Sequence, residues 1–137
     1  MAGFFRRSNP DVDRLAELPL LSKLSRSDLG KLAAAGQVVN LPAHWTFITE
    51  GTPGDVAYVV LSGGVRVVVQ GEEVARVSVG EVIGEAGLLE GRLRNASVST
   101  VEPTVLLHID QPAFDRLRQQ VPGFKAVVDE AAARHSR

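Results

Sequence analysis

The feature that most limits what this chain can become is a series of short β-branched runs punctuated by glycine. Between Gln37 and Ile109 the runs TFIT, AYVVL, VRVVV, VARVSV, SVSTV and VLLHI are separated by Gly51, Pro53-Gly54-Asp55, Gly63-Gly64, Gln70-Gly71-Glu72 and Gly80. Branching at Cβ stiffens a side chain in a way that suits a pleated strand, and glycine supplies turn conformations that other residues resist. Gly51, Gly54, Gly63 and Gly71 are accordingly read as turn formers with no ligand role. Runs this short and closely spaced leave no room for crossover helices, so a sandwich, barrel or jelly roll is expected rather than βαβ units. The alternation across Val74–Val79 predicts a half-buried strand with Arg76 and Ser78 facing out.

Helices bracket this β zone. Asn9-Pro10 suits an N-cap followed by proline in the first turn, Asp11 and Asp13 favour the positive end of the helix dipole, and Val12, Leu15 and Leu18 follow at helical spacing until Pro19. A second helix is expected from Ser25, where Ser25 and Asp28 resemble a capping box, with Leu29, Leu32 and Ala33 inward and Gly36 as its stop. After Gln111, Pro112 suits another start, with Phe114 and Leu117 on one face. Beyond Pro122, a last helix ending soon after Ala133 would bury Phe124, Val127, Val128 and Ala131. Residues 1–137 read as a single domain, with residues 1–8, including Phe4-Phe5-Arg6-Arg7, as a flexible leader.

Bulk properties exclude several classes of function. A chain of 137 residues with 45% hydrophobic and 23% charged residues can bury a core of its own. A net charge of −1 lacks the basic footprint that DNA binding usually requires. With no cysteine there can be no disulfide, thiolate metal site or cysteine nucleophile. His44, His108 and His135 are too scattered for metal-ligand spacing, and Ser97 has no histidine–acid partners in view, so neither a metal site nor a catalytic residue is expected. No signal peptide is visible, and no apolar run approaches the roughly 20 residues that cross a bilayer, so a cytoplasmic location is expected.

One stretch interrupts the β zone. IGEAGLLEGRLRNASV, Ile83–Val98, is rich in small residues, and Ala86–Leu89 would form about one helical turn. The start of a helix presents free N–H groups that favour an anion. Gly84 and Gly87 would let a ligand approach the backbone, and the planar fork of Arg94 suits a phosphate. Glu85 would repel a bare phosphate but can accept hydrogen bonds from sugar hydroxyls. A sugar at one end and a phosphate at the other describe a nucleotide.

The stretch GEAGLLEGRLRNASV resembles the phosphate-binding cassette of cyclic nucleotide-binding domains, the family of catabolite activator protein and the regulatory subunits of cAMP-dependent protein kinase. LPLLSKLSRSDLGKLA is similar to that family's entry helices, FITEGTPGDVAYVVLSGGVRV to its strand–turn–strand with Gly51, Asp55, Tyr58 and Gly63, and LLHIDQPAFDRL to its last strand and following helix. The resemblance implies an eight-stranded jelly roll with N-terminal helices, a short cassette helix and C-terminal helices. It implies a ligand site made of Gly84, Glu85, Ala86, Gly87, Arg94, Asn95 and Ala96. Arg94 would hold the cyclic phosphate with help from backbone groups of Gly84, Gly87 and Asn95, Glu85 would take the ribose 2′-hydroxyl, and Ala96 would keep the floor small. Asn95 departs from the alanine, serine or threonine common after the arginine, and Leu93 replaces a frequent proline. The expected ligand is cAMP ahead of cGMP. With no aromatic residue after Phe124, the lid over the base is expected to be short or borrowed from a second subunit.

The resemblance implies a stand-alone, non-catalytic module that signals to an effector protein through its terminal helices, with a homodimer through the last helix also open. It implies no cofactor and no DNA contact, since no helix-turn-helix follows. Two other readings compete. The fold could have lost its ligand and serve protein interaction, with Glu85 and Arg94 merely pairing across a turn, or it could be a cupin-like enzyme. Tyr58 is read as core, His108 as a strand histidine and Arg92 as an extra base near the pocket that faces solvent.

Overall fold

The computed structural model of the chain describes residues 10–135, so the expected leader and Asn9 lie outside the described residues. Among the described residues eight strands are flanked by helices, in the order α1 (Pro10–Ala16), a 3₁₀ turn (Pro19–Leu21), α2 (Arg26–Ala35), β1 (Gln37–Leu41), β2 (Thr46–Ile48), β3 (Val56–Ser62), β4 (Val65–Val69), β5 (Glu72–Val77), β6 (Val82–Ile83), α3 (Glu85–Glu90), β7 (Ser97–Thr100), β8 (Thr104–Asp110), α4 (Gln111–Gln120) and α5 (Pro122–His135). All pairings are antiparallel, in two four-stranded sheets ordered β1-β8-β3-β6 and β2-β7-β4-β5. This is the expected jelly roll with helices at both ends.

The two sheets bury different kinds of surface. Ile48, Val65, Val77 and Val98 of the second sheet meet Val60, Ile83 and Leu106 of the first to form the inside of the roll. The first sheet also has a buried back, where Ala57, Val59, Leu61, Leu107 and Ile109 pack against Leu15, Leu29 and Leu32 of the entry helices and Phe114, Phe124 and Val128 of the last two. β3 and β8 are therefore covered on both faces, which is why AYVVL and VLLHI read as continuous apolar runs. Tyr58 lies on the inner face, edge-on to Phe47 at 5.0 Å and to His108 at 5.5 Å, so both it and His108 are packing residues there.

Local signals explain most element ends. The Ser25 hydroxyl accepts the amide of Asp28 at 3.0 Å, and the Asp110 carboxylate accepts that of Ala113 at 3.0 Å, capping α2 and α4. Gly36 does stop α2, but in an extended conformation (φ −108°) rather than a left-handed one. Its bare Cα is required by space, since a Cβ would lie 2.8 Å from the Leu107 side chain. The β4–β5 hairpin turns on Gln70 and Gly71, both with positive φ.

The expected half-buried strand over Val74–Val79 needs correction. β5 ends at Val77, the only buried residue in it, while Val74 is 59% and Val79 43% exposed. Between Val67↔Ala75 and Val68↔Glu73 the register shifts, so Val74 is the extra residue of a β-bulge. The bulge breaks the two-residue alternation and turns Val74 and Ala75 toward the same open space.

Candidate functional site

That space is a cavity of about 420 Å³ between the second sheet and the segment that follows β6. Its construction starts at Gly84, where a left-handed backbone (φ 82°) turns the chain off the sheet and into α3. A side chain there is also excluded by contact, because a Cβ would stand 2.8 Å from Nη1 of Arg94 and 3.0 Å from the Val56 carbonyl oxygen. α3 is one residue longer at each end than the expected Ala86–Leu89 turn, and it stops at Gly91 (φ 64°), whose amide donates to the Gly87 carbonyl at 2.8 Å. Its Leu88 enters the helix-side core, while Glu85, 1% exposed, faces the cavity.

Arg94 returns to the start of α3 because its backbone is tied to the β2–β3 turn. Its amide donates to the Thr52 carbonyl at 2.7 Å and its carbonyl accepts the Gly51 amide at 2.8 Å. The guanidinium then reaches across, Nη1 donating to the Gly84 carbonyl at 2.8 Å and Nη2 to that of Val56. Two acceptors from separate elements fix the plane of the fork. Burial pushes the guanidinium below its usual pKa, and the nearby Tyr58, Asp55 and Glu85 oppose that shift by favouring the cation. Tyr58 moves the other way: burial raises its phenol, partly offset by Arg94.

All seven residues expected at the site, Gly84, Glu85, Ala86, Gly87, Arg94, Asn95 and Ala96, line this one cavity. One end therefore offers a fixed cation, a buried carboxylate and bare backbone. The other is apolar, walled by Val67, Val69, Val74, Ala75 and Val77 of the β4–β5 hairpin with Ile48 and Val98. This wall escaped sequence reading because its valines look like ordinary core. Arg92, read as an extra base near the pocket, is exposed, ion-paired with Glu90 and lines the cavity.

Arg134 was also missed. α5 runs on to His135 and brings Arg134, ion-paired with Glu130 at 3.1 Å, to the cavity. A search for an aromatic lid passes over it, although a guanidinium plane also stacks on rings. Gly54 departs from its expected role as well: its φ is not positive, and what it meets is the backbone of Gly87. Among the described residues no cluster of His, Cys, Asp and Glu could hold a metal ion, and no helix is long and apolar enough to cross a membrane.

Comparison with known proteins decides the family. The model of the cyclic nucleotide-binding domain matches residues 38–121, more than half of the chain. This chain belongs to the cyclic nucleotide-binding domain family. The domain is 34% identical over 119 residues to a cAMP-dependent protein kinase regulatory subunit of Emericella nidulans, covering 85% of this chain and 29% of that one. It is 34% identical over 93 residues to the Pycsar effector protein XpPycTIR of Xanthomonas perforans, covering 67% and 31% respectively. The chain thus spans about three tenths of the length of these curated relatives. Among solved structures, the catabolite activator protein of Thermus thermophilus superimposes with a TM-score of 0.76 at 28% identity, over 85% of this chain and 57% of that one.

Proposed function

We propose that this domain is a non-catalytic regulatory module that binds a cyclic mononucleotide, cAMP ahead of cGMP, and passes the event to an effector protein through its terminal helices. Arg94 would hold the cyclic phosphate and Glu85 a ribose hydroxyl, while the base would lie along the β4–β5 valines toward Arg134. The observation that carries this reading is the joining, in one cavity, of a pre-aimed arginine, a buried carboxylate and an apolar wall. A cyclic nucleotide has the matching parts in the matching order. The similarity to a cAMP-dependent protein kinase regulatory subunit supports the choice of ligand.

The test is calorimetric titration of the protein and of Arg94→Ala with cAMP and cGMP. The expected result is binding by the wild type and a loss of at least about tenfold in the variant, because stripping one partner from a desolvated charge pair costs roughly 2–5 kcal/mol. Equal binding by both proteins would remove Arg94 from this role. Silence with both nucleotides would favour a protein-interaction domain.

A further inference from the structure

Gly54 does not line the cavity, yet it abuts the cassette. A Cβ built on it would lie 3.0 Å from the Gly87 Cα, 3.2 Å from the Arg92 carbonyl oxygen and 3.3 Å from Cζ of Arg94. The contact is reciprocal, since a Cβ on Gly87 would meet the Gly54 Cα at 3.0 Å and its carbonyl oxygen at 3.3 Å. Two backbones interlock here with no side chain between them. Conformation does not demand the glycine: Gly51, in the same turn, has a φ of 85°, whereas Gly54 is outside the left-handed region. What the position requires is space.

The surrounding bonds show what that space protects. The turn containing Gly54 is stitched to the cassette by the Gly51–Arg94 and Arg94–Thr52 hydrogen bonds and by the Pro53–Leu93 bridge. The two carbonyls that hold the Arg94 fork come from opposite sides of the interlock, Gly84 before α3 and Val56 just after the turn. Separating turn and helix by a few tenths of an ångström changes the span between those acceptors. We infer that Gly54 is a positioning residue for Arg94, setting the guanidinium in the geometry that receives the anion without touching the ligand itself. This rests on the reading of Arg94 as the phosphate holder.

The experiment uses the full chain as wild type, Gly54→Ala and, as a control, Gly30→Ala, whose added methyl meets nothing within 4 Å. Two readouts are taken: cAMP affinity by calorimetry, and the ¹⁵N–¹H signals of the Arg94 guanidinium in the ligand-free protein, assigned by their loss in Arg94→Ala. Gly54→Ala is expected to bind at least about fivefold more weakly, since even small misplacements of a binding group are costly. Its Arg94 signals should shift or broaden as the clamp on the fork loosens, while Gly30→Ala changes neither readout.

Wild-type affinity in Gly54→Ala would overturn the inference. So would a loss of affinity with unmoved Arg94 signals, which would place the effect elsewhere. If the wild type binds no cyclic nucleotide, the functional reading fails by itself and the Arg94 signals decide the positioning alone: unmoved signals overturn it, shifted ones sustain it. Should Gly54→Ala not fold, Gly87→Ala intrudes on the same contact from the other side; because Gly87 borders the cavity, only its Arg94 signals are then decisive, shifted ones sustaining the inference and unmoved ones overturning it.

Discussion

Replacing Arg94 by lysine separates charge from geometry at the proposed phosphate site. Lysine keeps the positive charge and three N–H donors, but it lacks the planar fork whose two separate nitrogens reach the Gly84 and Val56 carbonyls. The Coulomb attraction for an anion largely survives, whereas the bidentate contact and its pre-orientation do not. Hydrogen bonds to charged groups are worth about 1.5–3 kcal/mol each, so losing one should weaken binding roughly 10–150-fold. Ligand-linked melting makes the difference easy to read. At a ligand concentration 100 times the wild-type Kd, the wild type gains about 2.7 kcal/mol, while a variant binding about 30-fold more weakly gains only about 0.9 kcal/mol. For a domain of this size the cAMP-induced rise in Tm should shrink from roughly 10 °C to about 3 °C. The expected order of affinity is wild type, then Arg94→Lys, then Arg94→Ala. A lysine variant within twofold of the wild type would show that charge alone suffices and would refute the role assigned to the fork.

Two further predictions concern stability. Burial raises the Tyr58 phenol above its ordinary 10.0, so its contribution is fully present below pH 10 and is lost as the pH rises through the folded value; melting from pH 8 to 11 should show the wild type losing stability faster than Tyr58→Phe above pH 10, and parallel curves would refute the assignment. Glycine substitutions should split by environment, with Gly63→Ala costing more than about 2 kcal/mol and Gly30→Ala adding about 0.5–1 kcal/mol in chemical denaturation. The reason is that Gly63 has a φ of 87° and its added Cβ would fall 2.6 Å from the Pro103 carbonyl oxygen, while Gly30 sits in a helix with open space around it.

What could be read in the sequence was whatever is encoded in neighbouring residues. The runs from TFIT to VLLHI carry β-branching and glycine turns within themselves, and each became a strand. β6, two residues long, offers no periodicity, and it is a strand because Val82 and Ile83 pair with Val59 and Tyr58. The same contrast divides the site. Gly84 to Ala96 is one contiguous segment, so its chemistry could be read at sight. The apolar wall is gathered from four strands, and a valine facing a cavity looks the same in sequence as a valine facing a core. The bulge at Val74 depends on which residue of β4 it opposes, and Gly54 depends on a partner far along the chain. Neither dependence leaves a local trace.

The last step joins the cavity to the helices. α3 has two audiences: Glu85 and Gly87 border the cavity, and Leu88 lies in the core shared with α4 and α5. The Leu88 carbonyl also accepts a hydrogen bond from Gln111, the first residue of α4. At the far end of the same assembly, α5 returns Arg134 to the cavity. A ligand can shift a conformational balance only by as much as it prefers one state over another. Here the groups proposed to hold it include one on the short helix and one on the terminal helix, so any arrangement that brings both to the ligand at once is favoured over one that does not. Leu88 shares one core with Phe124 and Val128 of α5, so a displacement of α3 disturbs the packing of that helix.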